Sequence, residues 1–247
     1  MNKKAIDKIR NEGLENYLAT SFAKKIKRDN AALTWFFIIG GIFFVGGGVL
    51  TLFADDTTSG PFIAIAIGAV SFLVAWLCAR KPAPKSDAYK EELNKRHGDY
   101  KAVLNEIEYK LLTEHVHNLD IGGFYSVSDW LIVLCSMQGV HFIRKVEIAA
   151  IIGTGDGTKI IWDNGESFNA YFNKGHYAWE EAFYILAADN PHLLSNGDMV
   201  ANLAGVAVTL ETVMHHEHKA SDRLITQQYL NNKAAGIAAN WAQDMPS

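Results

Sequence analysis

The chain has few of the residues that mark disulfide-stabilised or nucleic-acid-binding proteins. Its 247 residues include only two cysteines, Cys78 and Cys135, which are too few for a disulfide framework or a cysteine zinc site. Lys and Arg number 23 against 27 Asp and Glu, giving a net charge of −4. A general nucleic-acid-binding protein shows a basic excess, so we expect no nucleic-acid partner.

Known catalytic motifs are also missing. The sequence has no Gly-x-Ser-x-Gly, His-Glu-x-x-His or Gly-x-x-x-x-Gly-Lys-Ser/Thr pattern. Gly153, Gly155 and Gly157 resemble a phosphate loop, but a strand follows them rather than the helix that such a loop requires. They predict a β-turn. The sequence predicts no cofactor and favours a non-enzymatic protein, without excluding an enzyme.

Charge is absent from two long stretches, residues 35–53 and 61–79, each 19 residues long. As a helix, each would extend roughly 28 Å, close to the hydrocarbon thickness of a bilayer. The connector, residues 54–60, is short and acidic, so the two helices must be antiparallel. We assign residues 34–80 to a transmembrane hairpin.

Basic residues flank the hairpin on both sides and are absent from its connector. They are Lys24, Lys25, Lys27 and Arg28 before the first helix, and Arg80, Lys81 and Lys85 after the second. Cytoplasmic loops carry such an excess. The pattern predicts a multi-pass protein of the plasma (inner) membrane with cytoplasmic N- and C-termini. Neither span contains an ionisable residue, which argues against a transporter or pump.

Small residues recur in the first span. Gly40 and Gly47 are seven residues apart, and so are Gly41 and Gly48. Small residues on one helix face allow close helix approach. Packing within the hairpin is the favoured interpretation, and packing between two copies through Gly40 and Gly47 is the alternative.

Helical patterns lie on both sides of the hairpin. Residues 1–33 predict a cytosolic amphipathic helix that either lies on anionic headgroups or packs on the cytosolic domain. Residues 86–112 predict a linker helix with an apolar seam. That helix either covers its own domain or joins two copies through Leu93 and Leu104. The first alternative is favoured, because Gly98 interrupts the seam.

Short strands follow the linker. Alternating or β-branched runs occur near residues 123–128, 130–134, 140–143, 148–152, 159–162 and 167–172. Asn164-Gly165 is a strong hairpin-turn signal. A helix is predicted at about residues 176–188, ending at Asn190-Pro191. The fold class is therefore α+β: an antiparallel β-meander at residues 113–195, closed by a C-terminal helix, after the transmembrane hairpin.

The segments 123–132 and 146–151, the Asn-Gly hairpin and the helix ending at Asp189-Asn190-Pro191 resemble a known domain. It is the pleckstrin-homology-like (PH-like) domain of uncharacterised bacterial membrane proteins that also carry a two-span hairpin. The resemblance covers roughly residues 30–195 and implies a fold, because the family has no catalytic residues to transfer. Beyond it lies the tail, residues 196–247, which opens with a predicted helical stretch at 199–214. The tail is either a docking helix or partly disordered.

These features predict a membrane-anchored, non-enzymatic binding or scaffold protein that presents a cytosolic PH-like module to a protein partner. Lipid recognition ranks lower, since Lys145, Lys159 and Lys174 are the only nearby basic residues. The alternative function is a metal-dependent enzyme or metal sensor. It would use His115 and His117, which have strand spacing, with His215 and His218, which are three residues apart. Zinc needs three or four ligands, so solvated histidines are favoured and no metal is predicted.

Overall fold

A computed structural model describes residues 1, 3–53, 59–80, 87–120, 123–135, 138–154, 157–170, 176–201, 205–210, 212 and 218–243. Its N-terminal half is helical, with α1 (Lys3–Glu12), α2 (Leu14–Tyr17), a π-helical turn (Leu18–Phe22), α3 (Ala23–Phe53), α4 (Gly60–Arg80), α5 (Ala88–His97) and α6 (Tyr100–Thr113). The chain forms two compact units. Residues Glu15–Ala88 form the helical unit, and Met1–Leu14 with Tyr89–Ser247 form the α/β unit.

The helical unit consists mainly of α3 and α4. Each is long and apolar enough to cross a membrane, in agreement with the two uncharged stretches. A Cβ added at Gly41 would lie 3.2 Å from the carbonyl oxygen of Gly68, and one added at Gly48 would lie 2.7 Å from that of Pro61. A later residue of α3 thus contacts an earlier residue of α4. The two helices are antiparallel and closely packed, as the short connector predicts.

The α/β unit contains two consecutive antiparallel sheets. Sheet 1 comprises β1 (His117–Asp120), β2 (Phe124–Val127), β3 (Trp130–Cys135) and β4 (Gly139–Arg144), paired in chain order. Sheet 2 comprises β5 (Ile148–Thr154), β6 (Gly157–Trp162) and β7 (Ser167–Ala170), also in chain order. Helix α7 (His176–Ala187) follows. The mixed α+β class is therefore confirmed.

The Asn-Gly turn forms where the sequence predicts it, between β6 and β7. Gly165 has φ +84°, a conformation that L-residues rarely adopt. The Asn164 side chain accepts a hydrogen bond of 3.0 Å from the Glu166 amide. Ile161 pairs with Ser167 across the hairpin, so the turn sets the register of both strands.

A continuous core lies between the two sheets and α7. Sheet 1 contributes Phe124, Leu131 and Ile143, and sheet 2 contributes Ile151, Ile160 and Trp162. Phe183 and Leu186 of α7 are buried in the same cluster. The helix closes the core, as the meander pattern predicts.

Helices α5 and α6 occupy the linker segment. The sequence predicts one linker helix, but the structure contains two. Helix α5 ends at His97 and α6 begins at Tyr100. Gly98 has φ +88°, and the Asp99 side chain accepts hydrogen bonds from the amides of Lys101 and Ala102. A left-handed glycine followed by an N-cap ends one helix and starts the next.

The face of sheet 1 opposite the core is also covered. Tyr89 of α5 contacts Phe142 of β4 with ring centroids 5.6 Å apart, and the Trp130 indole donates to Glu106 of α6. Leu93 and Leu104 of the apolar seam are buried, so residues of the same unit cover them. All six residues of β3 are buried, because β3 has packed neighbours on both faces.

The tail forms part of the folded α/β unit. A helix at 199–214 was predicted, and this is wrong for residues 199–209, which contain β8 (Met199–Ala201) and β9 (Ala207–Thr209) as an antiparallel pair. The physical reason is local: Val206 and Val208 are β-branched, and Gly205 adopts φ +79° before β9. From residue 218 onwards the described part of the tail contains α8 (His218–Ala235) and α9 (Asn240–Gln243).

The described part of the tail covers the outer face of sheet 2. Ile225 and Tyr229 of α8 are buried in one cluster with Ile152 and Ile161 of sheet 2. The segment before the tail pairs with β5, since the Ile151 amide donates to the carbonyl of Leu194 over 3.0 Å. Sheet 2 is thus buried on both faces.

Helix α1 belongs to the α/β unit and packs against α6. Ile9 is fully buried, and the Leu14 amide donates a 2.7 Å hydrogen bond to the Glu108 carboxylate of α6. Of the two interpretations of the N-terminal helix, packing on the domain is therefore the one that the structure contains.

Candidate functional site

A cleft of about 730 Å³ opens between sheet 1 and α7. We name it the Lys145 cleft. It is lined by residues from the end of α6, from β1 and β2, from the turn before β5, and from α7: Glu114, His115, His117, Ser126, Ser128, Lys145, Tyr184, Ile185 and Ala188.

Strand register places the cleft at the polar end of the core. His117, Ser126, Leu131 and Ile143 lie opposite one another across β1 to β4, so their side chains share one face of sheet 1. Leu131 and Ile143 fill the core, whereas Ser126 and His117 line the cleft. The same row of side chains thus changes from apolar to polar where α7 leaves the sheet uncovered.

Ser126 provides an unused hydrogen-bonding group. Its residue exposure is 0%, and its hydroxyl has no hydrogen-bond partner among the described residues. Leaving a buried hydroxyl unpaired costs about 1–3 kcal/mol. Ser126 is one of the residues that line the cleft, so an opening of the cleft wall would bring its hydroxyl to a bound molecule.

Lys145 is held by its backbone, and its mostly buried side chain lines the cleft. Its amide donates to the carbonyl of Asp129 over 2.8 Å, and its carbonyl accepts from the Asn190 side chain over 2.9 Å. Its side chain is only 7% exposed, and the ion pair with Asp189 is long at 3.9 Å. Burial lowers the pKa of Lys145, and the carboxylates of Asp189 and Asp129 oppose that shift. The side chain is therefore mostly buried, and its ion pair with Asp189 is longer than a hydrogen bond.

Imidazole and hydroxyl groups surround the mouth of the cleft. The rings of His115 and His117 lie 4.6 Å apart, so the two side chains share a face, as their spacing predicts. Ser128 has φ +50°, a left-handed conformation that is rare outside glycine. The Tyr184 side chain is exposed on the α7 side. Glu114 is the one carboxylate among the lining residues.

The histidines predicted as low-probability metal ligands are not all described. His115 and His117 meet in the cleft, but His215 lies outside the described residues, and for His218 only the backbone, at the start of α8, is described. Among the residues that the structure describes, no group of three or more His, Cys, Asp or Glu could hold a metal. The metal-dependent interpretation stays a prediction.

A second polar cluster has a structural role, because it fixes α5 to the two sheets. Arg96 forms ion pairs with Asp163 at 3.1 Å and Glu147 at 3.7 Å, and its guanidinium lies 4.8 Å from the Trp162 ring. His141 of β4 contacts Glu92 of α5 at 3.1 Å. These ion pairs connect α5 to both sheets.

The sequence contained one usable signal for this cleft. Phe124 and Ser126 alternate on the inward face of β2, so Ser126 is a polar residue at a core position. Sequence spacing could not bring Lys145 or Tyr184 to it, since they lie on other elements. Comparison of the chain with protein-family models, curated proteins and solved structures finds no match in any of the three.

Proposed function

We propose that the protein is a membrane-anchored, non-enzymatic binding protein in which α3 and α4 span the bilayer and the α/β unit is a PH-like module for a protein partner. The observation that carries the proposal is the exposure of large apolar side chains on both helices. Phe43 is 77% and Leu50 72% exposed on α3, and Phe62 and Val70 of α4 are also exposed. So much apolar surface is unfavourable in water and favourable in lipid.

The order of elements supports the PH-like part of the proposal. A four-stranded antiparallel sheet, a three-stranded antiparallel sheet and a closing helix follow one another without a crossover. This order agrees with the meander-and-helix pattern that underlies the resemblance. The tail, α5 and α6 are additions that cover the outer faces of both sheets.

The two chain segments that form the α/β unit support a topology with both termini on the same side of the membrane. Met1–Leu14 precedes the hairpin and Tyr89–Ser247 follows it, yet both belong to one compact unit. A chain that crosses the bilayer twice returns both flanks to the same side. The basic residues beside the hairpin favour the cytoplasmic side, at the plasma (inner) membrane.

The covered sheets restrict where a partner could bind. The helices α5 and α6 occupy one outer face, and α8 occupies the other. We infer that a partner contacts the loops and the end of the module that carries the Lys145 cleft. A partner that binds there leaves the hydrophobic core of the module covered.

Self-association through α3 is a further part of the proposal. A Cβ added at Gly40 or Gly47 would meet no described atom within 4 Å, so this face of α3 is open. Gly41 and Gly48 face α4 instead. We propose Gly40 and Gly47 as the contact between two copies, while Leu93 and Leu104 serve packing inside the α/β unit.

Cysteine labelling in intact cells tests the anchor and its orientation. Ser59→Cys, at the start of α4, should react with a membrane-impermeant maleimide from outside, whereas Lys101→Cys on α6 should react only after lysis. The unmodified chain, with Cys78 and Cys135, gives the background. Labelling of Lys101→Cys in intact cells, or release of the protein from membranes by alkaline carbonate, would refute the proposal.

A further inference from the structure

The Lys145 cleft has more hydrogen-bond donors at its buried end than the protein uses. Ser126 has an unpartnered hydroxyl, and the Lys145 ammonium has three N–H donors with its ion-pair partner 3.9 Å away. That separation exceeds hydrogen-bond length. Both residues line one cavity, and the most effective hydrogen-bond acceptors for an ammonium are negatively charged oxygens.

Asp189 does not supply those acceptor atoms well. Its side chain is 59% exposed, so the carboxylate remains mostly hydrated rather than entering the cleft. Asp129 also acts on Lys145, but its carboxylate is paired with Lys110, so the charge of Lys145 is only partly compensated. A ligand oxyanion that reached the buried end would compensate Lys145 and satisfy Ser126 in one contact.

The rest of the lining suits the body of a small organic molecule. The volume of about 730 Å³ lies within the range of small-molecule sites. Ile185 and Ala188 provide apolar surface, and His115, His117 and Ser128 provide groups that can donate hydrogen bonds near the mouth.

We propose that the Lys145 cleft binds the oxyanion, a carboxylate or phosphate group, of a small soluble molecule, with Lys145 and Ser126 as its principal contacts. The proposal extends the binding function proposed above and names the ligand class that the module would carry. Glu114 and Asp189 oppose an anion in the same region. Removal of the Asp189 charge should therefore strengthen binding, whereas removal of the Lys145 charge should abolish it.

Thermal unfolding of the full chain in a neutral detergent, followed by tryptophan fluorescence, provides the test. The probes are inorganic phosphate and acetate, each compared with chloride at matched ionic strength. We expect a saturable rise of the unfolding midpoint with at least one probe. The two probes distinguish a phosphate ligand from a carboxylate ligand.

Four variants assign the effect to the cleft. Ser126→Ala should bind about tenfold more weakly, the equivalent of one lost hydrogen bond. Lys145→Met should lose the saturable rise, Asp189→Asn should reach it at lower probe concentration, and Lys101→Met, an exposed residue of α6, should behave as the parent. Asp189→Asn leaves Lys145 intact and so tests the proposal even if Lys145→Met folds poorly.

Three results would overturn the proposal. They are no saturable rise with either probe, an equal rise in the parent and in Lys145→Met, or a rise given only by phosphatidylglycerol in mixed micelles. Stabilisation by zinc alone, lost in His117→Ala, would assign the cleft to a metal instead. None of these results changes the cysteine-labelling outcome, so the anchor and the ligand class can fail separately.

Discussion

Asn190 connects three parts of the α/β unit through one buried side-chain amide. Its Nδ2 donates to the carbonyls of Lys145, at 2.9 Å, and Ile148, at 2.8 Å. Its Oδ1 accepts from the Tyr229 hydroxyl of α8 at 3.5 Å. The residue that ends the closing helix thus also positions the cleft lysine and the tail.

Replacement of this amide should destabilise the protein strongly. Asn190→Ala removes the side-chain donor to two carbonyls, although that of Lys145 keeps the Ile148 amide. We expect the free energy of unfolding to fall by about 1–3 kcal/mol. Urea unfolding of the full chain in detergent measures it. Asn231→Ala on α8 is the matched control, because Asn231 is exposed and bonds only Gln227 in the described contacts. Equal losses in the two variants would contradict the assigned role.

His141 should make stability depend on pH. Burial alone would lower its pKa, but the hydrogen bonds to Glu92 and to the Gln138 carbonyl outweigh burial, and the pKa is raised above 6.5. Glu166 adds to the raising effect. A raised pKa in the folded state gives stabilisation that is complete below about pH 6.5 and is lost as the pH rises through the raised value.

The expected result is a pH-dependent difference between the parent and His141→Gln. The parent should exceed the variant in unfolding midpoint more at about pH 6 than at about pH 8.5, because the stabilisation is lost as the pH rises through the raised pKa. Glu92→Gln should flatten the dependence in the same way, since it removes the partner carboxylate. An unchanged difference across this range would exclude the pair as its source.

At the scale of helices, the glycines of α3 lie on two faces, one that packs against α4 and one that does not. A Cβ at Gly48 would lie 2.8 Å from Cγ1 of Ile65, and one at Gly68 would lie 2.5 Å from Cγ2 of Val45. Helices that pack this closely depend on the absence of side chains. A Cβ added at Gly47, one residue away from Gly48, would meet no described atom within 4 Å.

Gly48→Ala should therefore lower the thermal aggregation temperature of the detergent-solubilised protein. Gly46→Ala should not, because a Cβ at Gly46 also meets no described atom within 4 Å. The same replacement at two nearby residues of α3 separates packing from helix propensity, because both gain equally from the loss of glycine. A similar fall in both variants would mean that α3 and α4 do not pack as described.

Sheet and helix positions were predictable wherever local chemistry determined them. Asn164-Gly165 specifies its own turn, and alternation around it specifies β6 and β7. The apolar run at 130–134 predicts a strand, and the structure shows that β3 is buried on both faces, by α6 and by the core. Residues 199–209 were assigned the wrong element, since a short apolar run is ambiguous until Gly205 and the pairing with β9 decide it.

At the scale of the whole molecule, the tail is required to cover sheet 2. Ile225 is fully buried against this sheet, whereas Leu230, on the same helix, is 40% exposed. A charge placed at the buried position has no partner in an apolar cluster.

Ile225→Asp should reduce the yield of monodisperse protein in size-exclusion chromatography, and Leu230→Asp should not. The buried aspartate forces α8 away and exposes Ile152 and Ile161, which then promote aggregation. Normal yield and stability for Ile225→Asp would show that α8 is dispensable for the covering of sheet 2.

The candidate cleft was less predictable than the fold. The pairing of His115 with His117 follows from their spacing, and the structure places their rings together. From the sequence, Lys145 could be identified only as a basic residue. Its burial depends on backbone contacts with Asp129 and Asn190. A site assembled from α6, β2, the turn before β5 and α7 depends on tertiary packing, which residue spacing does not specify.

The packing of α1 on α6 also sets an order for biosynthesis. Helix α1 leaves the ribosome first, but Glu108, which accepts the hydrogen bond from the Leu14 amide, is synthesised after both apolar helices. The α/β unit therefore cannot be completed until α3 and α4 have left the ribosome. If insertion occurs during translation, as the proposed topology requires, the bilayer receives the hairpin while α1 still awaits its partner helix.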